Sequence, residues 1–587
     1  MRNAKIVGTV GPASDDRESI ERLAEAGTTV ARLNASHGSR DHRATTLDRI
    51  REVDATTEGT LATMLDLQGP EVRTAAVDEP VHLEAGSEVR FVEGDEASAE
   101  EVGLTLPLSG VGPGDRVLLD DGRIETTVVS VEDGDVVARV DVGGELGSRR
   151  GVNVPGVVLD VDAVTDADRK ELAIAAEKSV DFVAASFVTS GDDVLAVERV
   201  LESHDARIPI VAKIERDAAV TNLDSIVETA YAVMVARGDL GVECPLEEVP
   251  LIQKRIVRRC RNAGVPVVIA TEMLESMVHE RRPTRAEASD VANAILDGAD
   301  AVMLSGETAI GDHPVEVVET MDRIVREVEG SREYAELAEQ RVPPPETDAS
   351  TDALARSARF LARDVGASAI VVASESGYTA RKTAKFRPAV PVVAATPSDR
   401  VRRQLALSWG VTVEHADLAA GGAAAVIENA VGAALASGAV ESGDTVVVLS
   451  GLMTDVDRST TNTLKVHVAA DRLAAGMGVV TGRAAGPLVR CDDGDLSTVP
   501  QGAILYLSAA FDEEFAGDLS RLAGIVHERS EMTGYPATVA REVGVPMVSG
   551  LAIPDEVVDG RVVTLDGERG VVYAGDVTSG HGAAGPE

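Results

Sequence analysis

Residues 208–215 read Ile208-Pro209-Ile210-Val211-Ala212-Lys213-Ile214-Glu215, and residues 232–240 read Ala232-Val233-Met234-Val235-Ala236-Arg237-Gly238-Asp239-Leu240. Each is an aliphatic run too short for a helix that gives way to charged residues and glycine, as a buried strand does where it ends. Side chains alternate along a strand, so Lys213 and Glu215 emerge on one side. Asp239 is expected at the end of the next strand. Six more such segments lie at 5–11, 28–36, 61–69, 182–188, 266–273 and 301–308, with amphipathic helical stretches between most of them. Eight strands alternating with helices predict an α/β fold of the (β/α)8 TIM-barrel type, whose C-terminal rim carries the site. The competing arrangement is a doubly wound open sheet.

One interruption separates the third and fourth strands. Residues 70–155 hold short Val-rich runs punctuated by Asp121-Gly122, Asp133-Gly134 and Gly143-Gly144, which are hairpin turns. An all-β unit inserted at the C-terminal end of a barrel strand sits over the rim, so a lid is its natural role. The expected organisation is a catalytic barrel at 1–69 and 156–335 with a β-barrel lid at 70–155. The run Gln340–Asp348, with Pro343, Pro344 and Pro345, reads as a linker. An α/β domain is expected at 350–470 and a further unit at 471–587.

Composition narrows the function. Asp and Glu total 98 against 56 for Lys and Arg, a formal charge of −42, which repels nucleic-acid phosphates and anionic membrane faces. No nucleic-acid partner and no membrane partner is expected. Only eight of the basic residues are Lys and aromatics are 2%, so the cores are aliphatic. High acidity with scarce lysine predicts adaptation to multimolar salt, a halophilic and archaeal source. The three cysteines, Cys244, Cys260 and Cys491, show no CxxC spacing, which argues against a zinc site and a disulfide framework. The N-terminus runs directly into the first strand, so a cytoplasmic location is expected.

Glu215 and Asp239, carboxylates from neighbouring strand ends, make a hard-oxygen site with room for water and substrate, suited to Mg²⁺ or Mn²⁺. Lys213 beside such a cation fits a substrate whose negative charge grows in the transition state; the plainer alternative is a buried ion pair. Arg32, Asn34, Ser36, Asp66, Arg73, Thr271 and Ser305 are further rim candidates. Singly each reads as a cap or turn residue, and together they outline a polyanion site.

The wording of the segments is specific. VGTVGPAS (7–14), ARLNASHG (31–38), LDLQGPEVRT (65–74), AKIE (212–215), VARGDLGVE (235–243), ATEMLESM (270–277) and MLSGETA (303–309) resemble pyruvate kinase, in order, over residues 1 to about 470. The resemblance implies transfer of the phosphoryl group of phosphoenolpyruvate to ADP. It implies Glu215 and Asp239 as Mg²⁺ (or Mn²⁺) ligands, and substrate contacts from Arg32, Lys213, the Gly238 and Asp239 amides, Thr271 and Ser305. Lys213 and Arg32 would stabilise the moving phosphoryl and the enolate, and Thr271 would steer the water that protonates it. Asn34, His37 and Arg73 would face the nucleotide. A K⁺ site maps onto Asn34, Ser36, Asp66 and the Leu67 carbonyl. Glu71 matches the potassium-requiring form, whereas Leu67-Gln68 resembles the potassium-independent one. Ala173 and Ala218 stand where the family carries a lysine and a carboxylate. The loop Ser374, Ser376, Gly377 and Thr379, followed by Arg381, Lys382, Lys385 and Arg387, maps to a site for a phosphorylated allosteric effector, and a homotetramer is implied.

The tail, 471–587, resembles the swivelling phosphohistidine domain of phosphoenolpyruvate-utilising enzymes. Where that carrier motif has Thr-Ser-His-Ala, this chain has Thr533-Gly534-Tyr535-Pro536. A tyrosine cannot form the phosphoramidate that histidine forms, so a structural role is expected. The alternative for the whole chain is a non-catalytic metabolite sensor, which would be expected to have lost Lys213, Glu215 or Asp239.

Self-repulsion predicts salt dependence. Dialysis from about 2–3 M KCl to a tenth of that should lower the melting temperature and loosen the assembly; unchanged sedimentation and melting would contradict the salt-adaptation reading.

Overall fold

The computed structural model describes residues 2–57, 59–347, 349–418, 422–451 and 461–578. Asp348, at the end of the expected linker, and 579–587, at the end of the last expected unit, lie outside the described residues. The chain forms two compact units: Met1–Glu346 with Ala384–Arg387 and Asp399–Val411, and Thr347–Thr383 with Pro388–Ser398 and Thr412–Glu587.

In the first unit eight parallel strands close into a barrel: β1 (Lys5–Thr9), β2 (Val30–Asn34), β3 (Ala62–Asp66), β4 (Phe182–Ala185), β5 (Ile210–Ile214), β6 (Ala232–Ala236), β7 (Val267–Ala270) and β8 (Ala301–Leu304). Each pairs with its sequence neighbours, and β8 closes on β1 with Lys5 opposite Ala301. Alternation sorts the residues into two layers. Val7, Val30, Met64, Ala184, Val211 and Met303 fill the barrel interior, while Ile6, Ala31, Leu65, Val183, Ala212 and Leu304 pack in the outer layer with the helices. Two residues beyond each interior position stand Thr9, Arg32, Asp66, Ser186, Lys213 and Ser305. The strand period that builds the core therefore also delivers these side chains to the rim.

One strand ends earlier than its sequence predicts. β6 stops at Ala236, and Arg237–Glu243 is helical, so Asp239 sits in the first turn of a helix and not at a strand end. Arg237 turns the chain: its guanidinium donates to Asp290 Oδ1 at 2.7 Å and to the Thr271 carbonyl at 2.7 Å.

The insertion between β3 and β4 is all β. Val81–Leu83 and Gly144–Leu146 form a two-stranded sheet, and six further strands form a sheet around a core that includes Phe91, Val117, Ile124 and Ala138. The chain leaves the barrel through Gly69, whose φ of +71° and a would-be Cβ 2.9 Å from the Ser186 carbonyl oxygen exclude a side chain. It returns at Thr165, which caps the helix Asp166–Glu177. Asp168 ties the two crossings together, accepting from Thr165 N at 3.0 Å and from Gly69 N at 3.1 Å.

The described residues of the second unit form two sheets. Val411–His415, Val392–Thr396, Ala369–Ala373, Thr445–Ser450 and Thr463–Val468 lie side by side in that order; Ala369–Ala373 runs parallel to both of its neighbours, and Thr463–Val468 is antiparallel to Thr445–Ser450. An eight-stranded mixed sheet is built from strands between Arg472 and Ala574. The two meet in a small apolar cluster of Val468, Ala470, Tyr573 and Val577. The tail thus caps the end of the preceding sheet. Deleting everything after Ala470 should re-expose Val468, at about 1.5–3 kcal/mol, and lower the melting temperature while leaving the chemistry of the barrel rim within a few-fold. A large loss of turnover in a truncated chain that remains folded would show that the tail takes part in the reaction.

Candidate active site

The rim side chains surround a cavity of about 180 Å³ whose lining includes Arg32, Asn34, Ser36, His37, Leu67, Glu71, Arg73, Ser186, Lys213, Glu215, Asp239, Thr271 and Ser305. Residues from seven of the eight barrel strands, or from the turns that follow them, meet here with the start of the insertion. Of the expected substrate, metal, potassium and nucleotide positions, only Gly238 and Asp66 do not line it. Asp66 lies directly beneath.

Asp66, fully buried at the end of β3, organises the floor. It accepts from Arg32 Nε at 2.6 Å on one oxygen, and Lys213 Nζ lies 3.4 Å from the other. Lys213 also reaches Glu215 Oε1 at 2.8 Å and donates to Ser186 Oγ at 2.7 Å. Arg32 donates further to Thr9 Oγ1 at 3.0 Å. Glu215 is held by the Phe187 N–H at 2.6 Å. Burial works against the Asp66 carboxylate, but Lys213 and Arg32 outweigh it and hold Asp66 below its usual range. Burial likewise works against the Lys213 ammonium, and Asp66 and Glu215 outweigh it, so its pKa rises and the charge is kept.

Asp239 is different. Burial, followed by the facing Glu215 carboxylate, pushes it up to about 7, with Glu71 and Asp121 adding in the same direction and Lys213 opposing. Glu71 pairs with Arg73 at 2.9 Å. The cavity and its floor therefore hold three cations, Arg32, Arg73 and Lys213, against four carboxylates, Asp66, Glu71, Glu215 and Asp239, and the unmatched one is Asp239 beside Glu215. Among the described residues no group of three or more His, Cys, Asp or Glu is placed to hold a metal. A hard cation at this pair fits the donor chemistry and would draw its other oxygens from water or ligand.

Thr271 holds a left-handed φ of +64°, as do Glu272 at +57° and Phe187 at +57°. Non-glycine residues in this region store about 1–3 kcal/mol each and cluster at functional sites. Thr271 Oγ1 donates to the Ala270 carbonyl at 2.7 Å and accepts from the Gly238 N–H at 2.8 Å, so that amide is already engaged. At the expected potassium position Ser36 N donates to Asn34 Oδ1 at 3.0 Å, and the Leu67 carbonyl accepts from Ser186 Oγ at 2.8 Å. Ser305 N donates to Glu307 Oε2 at 2.6 Å.

Sequence reasoning missed Ser186 and Phe187. The signal was present, since Ser186 occupies the in-pointing parity position two residues past Ala184. It also missed a link from insertion to site, Asn153 Nδ2 donating to Glu243 Oε1 at 2.9 Å on the helix that carries Asp239.

Outside the barrel rim, Ser374 and Thr379 are buried; Thr379 Oγ1 lies 2.6 Å from Thr461 Oγ1, and Gly377 has φ +74°. Arg387, expected among the cations after this loop, donates instead to the Gly298 carbonyl at 2.7 Å and pairs with Asp300 at 3.1 Å, beneath the barrel. Asp300 is itself buried, and its carboxylate holds the Arg387 guanidinium there. Tyr535 opens the helix Tyr535–Val543, and its hydroxyl accepts from Phe515 N at 3.1 Å.

Comparison with known proteins agrees with this geometry. Family models match for the pyruvate kinase barrel domain over residues 1–318, the pyruvate kinase alpha/beta domain over 352–467 and the mobile domain of PEP-utilising enzymes over 499–570. The chain is 40% identical to the pyruvate kinase of Geobacillus stearothermophilus over 585 residues, covering 98% of this chain and 99% of that one. It is 39% identical to the pyruvate kinase of Staphylococcus epidermidis over the same length and coverage. Among solved structures, a pyruvate kinase from Cryptosporidium parvum aligns with a TM-score of 0.74 at 35% identity, covering 80% of this chain and 96% of the other. Rim geometry, domain matches and near-full-length identity converge, and the chain belongs to the pyruvate kinase family.

Proposed function

We propose that this chain transfers the phosphoryl group of phosphoenolpyruvate to ADP in the β1–β8 rim cavity, giving pyruvate and ATP. The observation that carries the reading is the fixed placement of two cations, Lys213 and Arg32, on Asp66 in a cavity otherwise dominated by carboxylates. Phosphoryl transfer asks mainly for positioning and charge stabilisation. Lys213 and Arg32 neutralise the oxygens of the phosphoryl as the bond from phosphorus to the enol oxygen breaks and an ADP β-phosphate oxygen takes its place. The substrate carboxylate takes the Gly238 and Asp239 amides, displacing Thr271 Oγ1, and Ser305 completes that wall. Thr271, freed, orients a water that delivers a proton to the enolate carbon. Glu215 and Asp239 would hold Mg²⁺ (or Mn²⁺), which when bound would supply positive charge to offset the negative charge of the substrate. Asn34, His37 and Arg73 meet the nucleotide. Asn34, Ser36, Asp66 and the Leu67 carbonyl are the proposed K⁺ ligands; Glu71, engaged by Arg73, supplies no positive charge that would replace the ion.

Further parts of the reading rest on the sequence and the family. The segments 1–69 with 156–335, 70–155, 350–470 and 471–587 are proposed as barrel, lid, regulatory domain and mobile-like domain. An effector phosphate is proposed at Ser374, Ser376, Gly377 and Thr379, without Arg387. A cytoplasmic homotetramer is proposed, and no described helix is long and apolar enough to cross a membrane. The −42 charge and eight lysines support a halophilic, archaeal chain, beside bacterial relatives.

The test is a coupled assay for pyruvate from phosphoenolpyruvate and ADP, with Mg²⁺ in about 2–3 M KCl. Lys213→Met removes a transition-state charge and should reduce turnover at least about 100- to 1,000-fold in a chain that still folds. Retention of more than about a tenth of the wild-type rate would sink the assignment. Glu215→Gln and Asp239→Asn should each raise the Mg²⁺ needed for half-maximal activity by about tenfold or more, the equivalent of about 1.4 kcal/mol. Superimposable Mg²⁺ titrations would refute their role as ligands.

A further inference from the structure

The helix Asp166–Glu177 begins where the chain re-enters the barrel, and two carboxylates of its first turns face inward. Asp168 and Glu171 are both buried. Asp168 holds the Gly69 amide, as described above. Glu171 grips the helix Arg40–Asp54: one oxygen accepts from Arg40 Nε at 3.1 Å, the other from Arg43 Nε at 3.1 Å, and a terminal nitrogen of Arg43 closes a second contact. Arg43 is itself buried, and its other terminal nitrogen donates to the carbonyl oxygens of His37 at 2.5 Å and Gly38 at 3.2 Å.

Neither Glu171 nor Arg43 lines the catalytic cavity. What they hold does. The loop between β2 and the helix Arg40–Asp54 carries Ser36 and His37 to the cavity wall, and at Gly38 nothing lies within 4 Å of a would-be Cβ, so side-chain packing does not fix the turn there. A second cavity of about 480 Å³, lined by Gly38, Arg40, Arg43, Gln68, Asp168 and Glu171 among others, adjoins the first through Gln68. A buried ion pair is weak evidence for stability in itself, but a planar guanidinium that spans a carboxylate and two loop carbonyls sets a position that an ammonium cannot.

We propose that Glu171, acting through Arg43, is a positioning residue for the nucleotide side of the site: it fixes the His37 backbone so that His37 is preformed to receive ADP. The inference rests on the reading of His37 and Arg73 as nucleotide contacts. Its signature is a split between the two substrates, because the Lys213, Glu215 and Asp239 side is held by other bonds.

The test uses the full chain and Glu171→Gln, Arg43→Lys, their double variant and Arg40→Ala. ADP affinity is read by equilibrium dialysis with labelled ADP, alongside kcat, KM for each substrate and melting temperature. Glu171→Gln and Arg43→Lys should each weaken ADP binding and raise the ADP KM about tenfold, the scale of one charge-assisted bond. The phosphoenolpyruvate KM, and kcat at saturating ADP, should stay within about twofold. The double variant should be no worse than the weaker single, because the two residues act as one unit. Arg40→Ala removes a partly exposed guanidinium, tolerates folding, and should weaken ADP about two- to threefold. Substrate constants that move together, multiplicative effects of the two single variants, or a fall in melting temperature alone would overturn the proposal, as would unaltered ADP affinity in Arg40→Ala should the buried variants not fold. A wild-type chain that binds ADP yet forms no pyruvate would refute the proposed reaction, while the ADP affinities would still decide the clamp.

Discussion

Everything at the rim depends on a buried carboxylate that cannot remain unpaired. Asp66 lies at the inner end of β3 with no exposure to water, and the two groups that neutralise it, Arg32 and Lys213, come from β2 and β5. Removing one partner of such a group typically costs about 3–5 kcal/mol, so the two cations have little freedom to be elsewhere. Glu215 then balances Lys213 and is fixed in turn by the Phe187 amide in a strained turn. Two cations and two anions cancel within the floor. With Glu71 matched by Arg73, the carboxylate left over among the described residues is Asp239, and that imbalance is what supports the proposed placing of a metal together with an anion.

The barrel was legible in the sequence because a single physical rule, period-two alternation, produces both its core and its rim. Val211 and Lys213, or Met64 and Asp66, are consecutive in-pointing positions on one strand, and the change from aliphatic to charged marks the passage from core to site. Asp239 escaped the rule because β6 stops at Ala236, where Arg237 swings to Asp290 and the Thr271 carbonyl and bends the chain into a helix. Partners 34 and 53 residues away decide that bend, and no local pattern announces them. Ser186 was overlooked for a chemical reason: a small hydroxyl after two alanines looks like a turn residue until Lys213, 27 residues on, is found donating to it. The clamp of Glu171 on Arg43 is long-range too, and an Arg and a Glu on separate helices read as ordinary solvated charges.

Acidity acts at two scales. Over the surface, the charge of −42 concerns the solvent and the salt that screens it. Within the cavity, the protein spends buried arginine and lysine against particular carboxylates, and the count there comes out one anion in excess. In the tail, Tyr535 sits at a helix start and its hydroxyl holds the Phe515 amide.

The central claim is that this cavity accepts a highly charged anion only together with a divalent cation. Isothermal titration of the full-length chain with phosphoenolpyruvate, once with Mg²⁺ and once in a chelator at the same ionic strength, tests it most directly. Because coupling between two ligands is reciprocal, the account predicts strong mutual enhancement, with phosphoenolpyruvate binding weakened at least about tenfold when the cation is removed. Equal affinity in the two titrations would contradict it.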